Sequence, residues 1–240
     1  MKMRRREMSE YRHEYKYVCN AMQTAVLKTR VNMLMKRDAH CNTEGFYKIR
    51  SLYFDDYYNT CYYENEAGVD VRDKYRIRIY NEDYSHISLE KKSKKSGMTH
   101  KQSYAIDRKR CEQLMLGRYD GLLEVTHVGL QGLLLEMCQR CLRPVVIVEY
   151  IRFPFVEKNG NVRITFDEFI SSSNDIENFL EPEIITRPIM RTGDSILEVK
   201  WEEFLPDYIK SHLQMDSLQR ESFSKYYLCR KYNIYGGIKA

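Results

Sequence analysis

Lys74-Tyr75-Arg76-Ile77-Arg78-Ile79 alternates cation and apolar residue without a break. A strand has a side-chain period of two, so Lys74, Arg76 and Arg78 share one face while Tyr75, Ile77 and Ile79 share the other. The same arrangement recurs in Arg12-His13-Glu14-Tyr15-Lys16-Tyr17. Shorter pieces repeat it: Glu90 and Lys92 beside Leu89, Lys101 and Ser103 beside Tyr104, Tyr150 and Arg152 beside Ile151, Arg163 and Thr165 beside Ile164, and Glu198 and Lys200 beside Val199. Antiparallel sheets commonly bury one face and wet the other, but a merely wet face accepts Ser, Thr, Asn and Gln as readily as ions. Here the polar positions are mostly Arg and Lys with a few carboxylates, a composition suited to a polyanion and a metal ion.

The 240 residues hold 43% hydrophobic and 12% aromatic side chains, with 20 Tyr against one Trp, which excludes a disordered chain and favours β structure. A net charge of +5 permits an anionic partner without requiring one. The seven cysteines are read as free thiols of a reducing compartment. Cys138 and Cys141 have CxxC spacing but lack a second ligand pair. The basic start, Met1 to Glu10, is followed by no apolar stretch and is not a secretory signal, and no run of 18 apolar residues occurs. The expected location is cytoplasmic, without direct membrane insertion.

Strands are predicted at 48–54, 72–80, 86–94, 98–106, 144–155, 162–169, 183–190 and 195–201 besides the first, with the hairpin of 86–106 turning at Ser96-Gly97 and a second turn at Lys158-Asn159-Gly160. Residues 171–174 read as a Ser/Asn-rich loop. Helices are expected at 21–36, capped by Asn20, at 108–116, capped by Asp107, and at 123–141, 206–214 and 221–232. The chain divides into a flexible basic N-terminus (1–10), a single domain (11–232) and a flexible tail (233–240) holding Gly236-Gly237. If helices cover the apolar face, the charged face must close on itself. The expected fold is therefore α+β, a closed eight-stranded antiparallel β tunnel barrel with a charged interior and helices packed outside.

A tunnel of this kind suits a linear chain of phosphates, because guanidinium forks bind two oxygens each and ammonium groups act as point charges. Double-stranded nucleic acid does not fit inside, and the aromatic residues alternate with apolar ones as core rather than as a stacking platform, so nucleic acid is not an expected partner. Glu14, Glu90 and Glu198 are costly there unless paired with cations or holding a metal ion, for which Mg2+ or Mn2+ is the natural choice. No P-loop, Ser/His/Asp set or zinc signature occurs. Phosphoryl transfer needs alignment and charge neutralisation rather than a protein nucleophile.

The motifs Glu14-Tyr15-Lys16-Tyr17-Val18, Ser51-Leu52-Tyr53-Phe54-Asp55, Tyr75-Arg76-Ile77-Arg78, Leu89-Glu90-Lys91-Lys92, Arg143-Pro144-Val145-Val146, Tyr150-Ile151-Arg152, Val162-Arg163-Ile164-Thr165-Phe166-Asp167, Leu197-Glu198-Val199-Lys200 and Phe223-Ser224-Lys225-Tyr226 follow one another in an order that resembles the VTC (vacuolar transporter chaperone) polyphosphate polymerase domain of the triphosphate tunnel metalloenzymes. The resemblance runs from Arg12 to about Leu228. It implies transfer of the γ-phosphate of ATP onto polyphosphate, assisted by Mn2+ or Mg2+. It implies phosphate binding by Lys16, Arg76, Arg78, Lys92, Lys101, Arg152, Arg163, Lys200 and Lys225, with Arg76, Arg78, Lys92, Arg152, Arg163 and Glu198 at the reacting groups and Glu198, Glu14 and Glu90 on the metal. The chain departs from the pattern at Ser222, where a second Lys is common, and at Asn65, a position expected to be basic unless Arg72 substitutes. Hydrolases of the superfamily tend to carry ExExK at the first strand, whereas Arg12 stands at one of those acidic positions here, which favours the polymerase. A tripolyphosphate or nucleoside triphosphate hydrolase and a non-catalytic polyphosphate or nucleotide sensor are the alternatives. Oligomeric state is left open.

Overall fold

The computed structural model describes residues 13–96, 98–214 and 218–235. Arg12, the N-terminal segment 1–10, Gly97 of the expected turn and Gly236-Gly237 of the tail lie outside the described residues. The chain runs β1 (His13–Cys19), α1 (Ala21–Leu34), β2 (Lys36–Arg37), β3 (Tyr47–Asp55), α2 (Thr60–Glu66), β4 (Arg72–Tyr80), β5 (Ile87–Lys95), β6 (Met98–Ile106), α3 (Arg108–Met115), α4 (Val128–Gln139), β7 (Arg143–Glu157), β8 (Val162–Ser173), β9 (Arg187–Pro188), β10 (Ser195–Trp201), α5 (Asp207–Leu213) and α6 (Lys225–Tyr235). Asn20 caps α1 through a capping box with Gln23, and the Asp107 carboxylate accepts from Arg110 N to cap α3.

The principal strands form one antiparallel sheet in the order β1-β10-β8-β7-β3-β4-β5-β6, with β2 added to β7 and β9 to β8. The expectation of a closed barrel is corrected: the sheet curls but stays open, and among the described residues no backbone ladder joins β1 to β6. Ion pairs span the gap instead, Lys92 of β5 reaching Glu14 of β1 at 3.0 Å. The concave face carries ions rather than apolar side chains, so no packing force draws the two edges into register.

The convex face does obey the alternation. Tyr75, Ile77 and Ile79 are buried beneath α3 and α4 with Leu114, Leu133, Leu134 and Met137. A second core places Leu27 and Val31 of α1 and Ile209 and Leu213 of α5 against Phe155, Phe166, Leu197 and Val199. Gly160, in the β7–β8 turn, has φ +73°, and a Cβ there would lie 2.2 Å from the carbonyl oxygen of Phe204.

Several boundaries moved for local reasons. The segment 171–174 is not a loop, since Ser171–Ser173 extend β8 and pair with β7 and β9. The strand expected at 183–190 shrinks to β9, because Pro182 and Pro188 lack N–H donors and buried Arg50 binds the carbonyls of Phe179, Glu181 and Pro182. The helix expected at 123–141 is interrupted at Val125, and His127 Nδ1 caps α4 by accepting from Leu130 N at 3.2 Å. Residues before Lys225 lie along β1, where Glu221 N donates to Lys16 O at 3.0 Å and Tyr17 bridges to Arg220, so α6 starts later than predicted.

Candidate active site

Register brings the charged residues onto one concave surface. Lys74 faces Lys92, Arg76 faces Glu90, Glu14 faces Lys200, and Lys16 faces Glu198. Three adjoining spaces of about 330, 90 and 450 Å³, all bordered by Glu14 and Lys92, make up a charged passage along the concave face. One mouth lies under the segment Arg220–Ser224, with Arg72, Lys74 and Lys94 on its wall. The narrow centre is bordered by Lys16, Arg76, Arg78, Arg152, Glu198 and Lys225. The other mouth carries Lys101, Arg163, Tyr47 and Tyr80.

Burial increases inward. The side chains of Lys101 and Arg163 are 45% and 36% exposed, those of Arg152 and Lys225 11% and 8%. Arg76 is gripped by Glu90, with Nη2 to Oε2 at 2.6 Å, and donates to Tyr53 Oη at 3.0 Å. Arg78 donates to Ser51 Oγ at 3.1 Å and Tyr150 Oη at 3.2 Å. Arg152 makes a two-point bond to Asp167, each contact 2.7 Å, and lies 3.5 Å from Glu198. Lys225, delivered by α6, bridges Asp167 at 2.5 Å and Glu198 at 3.2 Å. At the outer mouth Arg163 pairs with Asp38 at 2.6 Å and Tyr47 Oη at 2.9 Å.

The electrostatics follow from crowding. Burial opposes ionisation of Glu198, yet Lys16, Lys200, Lys225 and Arg152 hold its carboxyl well below the usual range. Glu14 behaves alike: burial raises it, and Lys16, Lys92 and Lys200 pull it far down. Burial also opposes the charge of Lys225, but Asp167 and Glu198 raise its ammonium pKa. Burial presses Lys92 down to about 8 despite Glu14, with Lys16 and Lys200 adding repulsion.

The three expected metal ligands occupy different surroundings. Glu90, 1% exposed, is enclosed by Arg76, Arg78 and Lys101 and orients those cations. Glu14 and Glu198 share Lys16 and Lys200, and Glu14 Oε1, buried 3.2 Å from Lys200 Nζ, makes no well-aligned hydrogen bond. That incompletely bonded oxygen beside a second carboxylate fits a divalent cation, although among the described residues no cluster of three or more His, Cys, Asp or Glu could hold one. Phosphate and water oxygens would have to complete the coordination.

All of the expected phosphate-binding residues face this passage. Sequence reasoning missed Tyr53, Tyr150 and Asp167 as partners and left out Lys74, although the alternation of β4 had already placed Lys74 beside Arg76. Lys91 points outward to Glu136 at 2.6 Å, whereas Lys94 joins the mouth beneath Arg220. Of the two departures noted above, Ser222 borders that mouth and Asn65 accepts from Lys74 there. All seven cysteines are free.

A strongly curved antiparallel sheet whose concave face is a charged passage defines an α+β protein with a tunnel-like fold. Residues 11–233 match the VTC domain family model, and the chain belongs to that family. Among solved structures it is similar to a putative adenylyl cyclase, HpAC1, from Hippeastrum, described as having a dominant triphosphatase activity, at 13% identity over 92% of this chain and 95% of that one, with a TM-score of 0.54. It is also similar to the PH1819 protein of Pyrococcus horikoshii OT3, at 14% identity over 91% and 97% of the two chains, with a TM-score of 0.50. No curated protein matches the sequence. Among the described residues no helix is long and apolar enough to cross a membrane.

Proposed function

We propose that this protein is a polyphosphate polymerase that transfers the γ-phosphate of ATP onto the end of a polyphosphate chain. A terminal phosphate oxygen of the acceptor forms the new O–P bond, the bond from the γ-phosphorus to the β–γ bridging oxygen breaks in line, and ADP departs. The observation that carries this reading is the concave face itself: three adjoining charged spaces follow one another along it, which gives a linear chain room to extend, and the narrow one is bordered by guanidinium groups from the two strands that flank β3, Arg76 and Arg78 of β4 and Arg152 of β7. Such fixed, desolvated cations neutralise charge on the transferring group without reorganising.

Arg76, Arg78, Arg152 and Lys225 would hold the phosphates around the reacting bond, with Lys16, Lys92 and Lys200 beside them and Lys101 and Arg163 at the outer mouth. Glu14 and Glu198 would hold Mn2+ or Mg2+. That ion would neutralise phosphate oxygens and leaving-group charge. Hydrolysis of a triphosphate is the second reading, favoured by the triphosphatase activity attributed to the Hippeastrum relative. Water would then replace the acceptor.

Incubation with ATP and Mn2+, following ADP, free phosphate and long-chain polyphosphate together, separates the readings. Polyphosphate and ADP without matching free phosphate, lost in Glu198→Ala, is the expected result; free phosphate alone would replace the polymerase by the hydrolase. Tight anion binding without turnover would leave a sensor.

A further inference from the structure

Lys74 differs from the other central cations in what holds it. Its Nζ donates to Asn65 Oδ1 at 2.6 Å and Ser224 Oγ at 2.8 Å, both neutral, and among the described residues no carboxylate lies within ion-pair distance. By contrast Arg76, Arg152, Lys16, Lys200 and Lys225 each touch a carboxylate. An ammonium has three N–H donors, and two are committed. Lys74 also borders both the narrow centre and the mouth beneath Arg220, where Arg72 and Lys94 continue the basic wall. Burial, reinforced by repulsion from Lys16, Lys92 and Arg72, disfavours the charged ammonium, so an anion arriving there supplies the counter-charge that no described carboxylate within ion-pair distance gives it.

Spacing gives this position a role of its own. Alternate residues on a strand stand ~7 Å apart, so Arg72, Lys74, Arg76 and Arg78 form a row ~20 Å long on the inner face of β4. That row is longer than three phosphoryl groups in line. Arg76 and Arg78 lie at the centre with Arg152, Lys74 stands where the centre meets the mouth, and Arg72 lies in the mouth.

We propose that Lys74, with Arg72, forms a chain-length-reading subsite that engages the phosphates of a linear polyphosphate lying beyond the triphosphate held at the centre. This rests on the reading of the passage as a phosphate tunnel. Asn65 and Ser224 act as positioning residues, presenting the ammonium without neutralising it. Since Ser224 precedes Lys225, the same contact links the subsite to the helix that supplies a central cation.

Calorimetric titration of the full chain with tripolyphosphate, ATP and long-chain polyphosphate, at one ionic strength, tests the assignment. Lys74→Met is expected to weaken long-chain binding about tenfold while tripolyphosphate and ATP change by less than about twofold, as loss of one charge-assisted contact to the phosphates at the mouth side of the centre requires. Retained tripolyphosphate binding also reports that the variant folds. Arg72→Gln, at the outer end of the row, should shift the three ligands in the same order by a smaller factor. Equal losses for all three ligands in Lys74→Met, or no loss for the long chain, would overturn the subsite while leaving the tunnel reading intact. A wild-type protein that binds none of them would overturn both.

Discussion

At the scale of single residues, Glu90 shows how the tunnel tolerates its own charge. Burial opposes its ionisation, but Arg76, Arg78 and Lys101 hold its carboxyl far below the ordinary value of 4.5. A depressed folded-state pKa contributes stability above the unfolded value, and that contribution is lost as pH falls from about 4.5 towards the lower folded value. Glu90→Gln should therefore cost about 3 kcal/mol at neutral pH, since three cations lose their shared counter-charge. Urea midpoints between pH 7 and pH 3 check this: the variant's stability is expected to fall less steeply on acidification than the wild type's. Arg152→Lys belongs to the same scale. Lysine cannot reproduce the two-point bond to Asp167, so turnover should drop by about tenfold or more although the charge is kept, read as kcat against KM.

At the scale of elements, α6 matters because it carries Lys225 into the passage. Its docking rests on the next residue, whose Tyr226 Oη donates to buried Asp55 at 2.5 Å. The same Asp55 carboxylate accepts from the backbone N–H groups of Cys61 and Tyr62 in α2, so one buried anion ties β3, α2 and α6 together. Tyr226→Phe should destabilise the chain by about 1–3 kcal/mol. Amide exchange in 225–235 should rise, and turnover should fall with it, because Lys225 loses its fixed approach. Unchanged exchange would mean that α6 is held by its apolar packing alone.

At the scale of the whole molecule, the curled sheet places many cations around one narrow space, and their mutual repulsion is relieved by an anion. Tripolyphosphate at a hundred times its Kd should add about 2.7 kcal/mol of stability. For a chain of this length that corresponds to a melting temperature higher by about 5–10 °C. Differential scanning calorimetry should find the increase shrinking as salt screens the site. No shift with any phosphate chain would remove the tunnel from consideration as an anion site.

Much of this was legible beforehand because strand alternation is a local property. Lys74-Tyr75-Arg76-Ile77-Arg78-Ile79 determined by itself which side chains face the core and which face the passage, and the neighbouring strands repeated the instruction. The caps at Asn20 and Asp107 were equally local. What only the tertiary structure decided depends on chain segments far apart in sequence. Whether the sheet closes is set by the meeting of β1 and β6, and charge on the concave face leaves that meeting to side chains such as Lys92 and Glu14. Which cations surround each carboxylate also depends on what packs opposite: Glu90 and Glu198 look alike in their strands, yet one is enclosed by Arg76, Arg78 and Lys101 while the other meets Lys225 from a helix 27 residues away. Alternation fixes a side chain's direction, but its partner is fixed by three-dimensional distance, on which Coulomb energy depends.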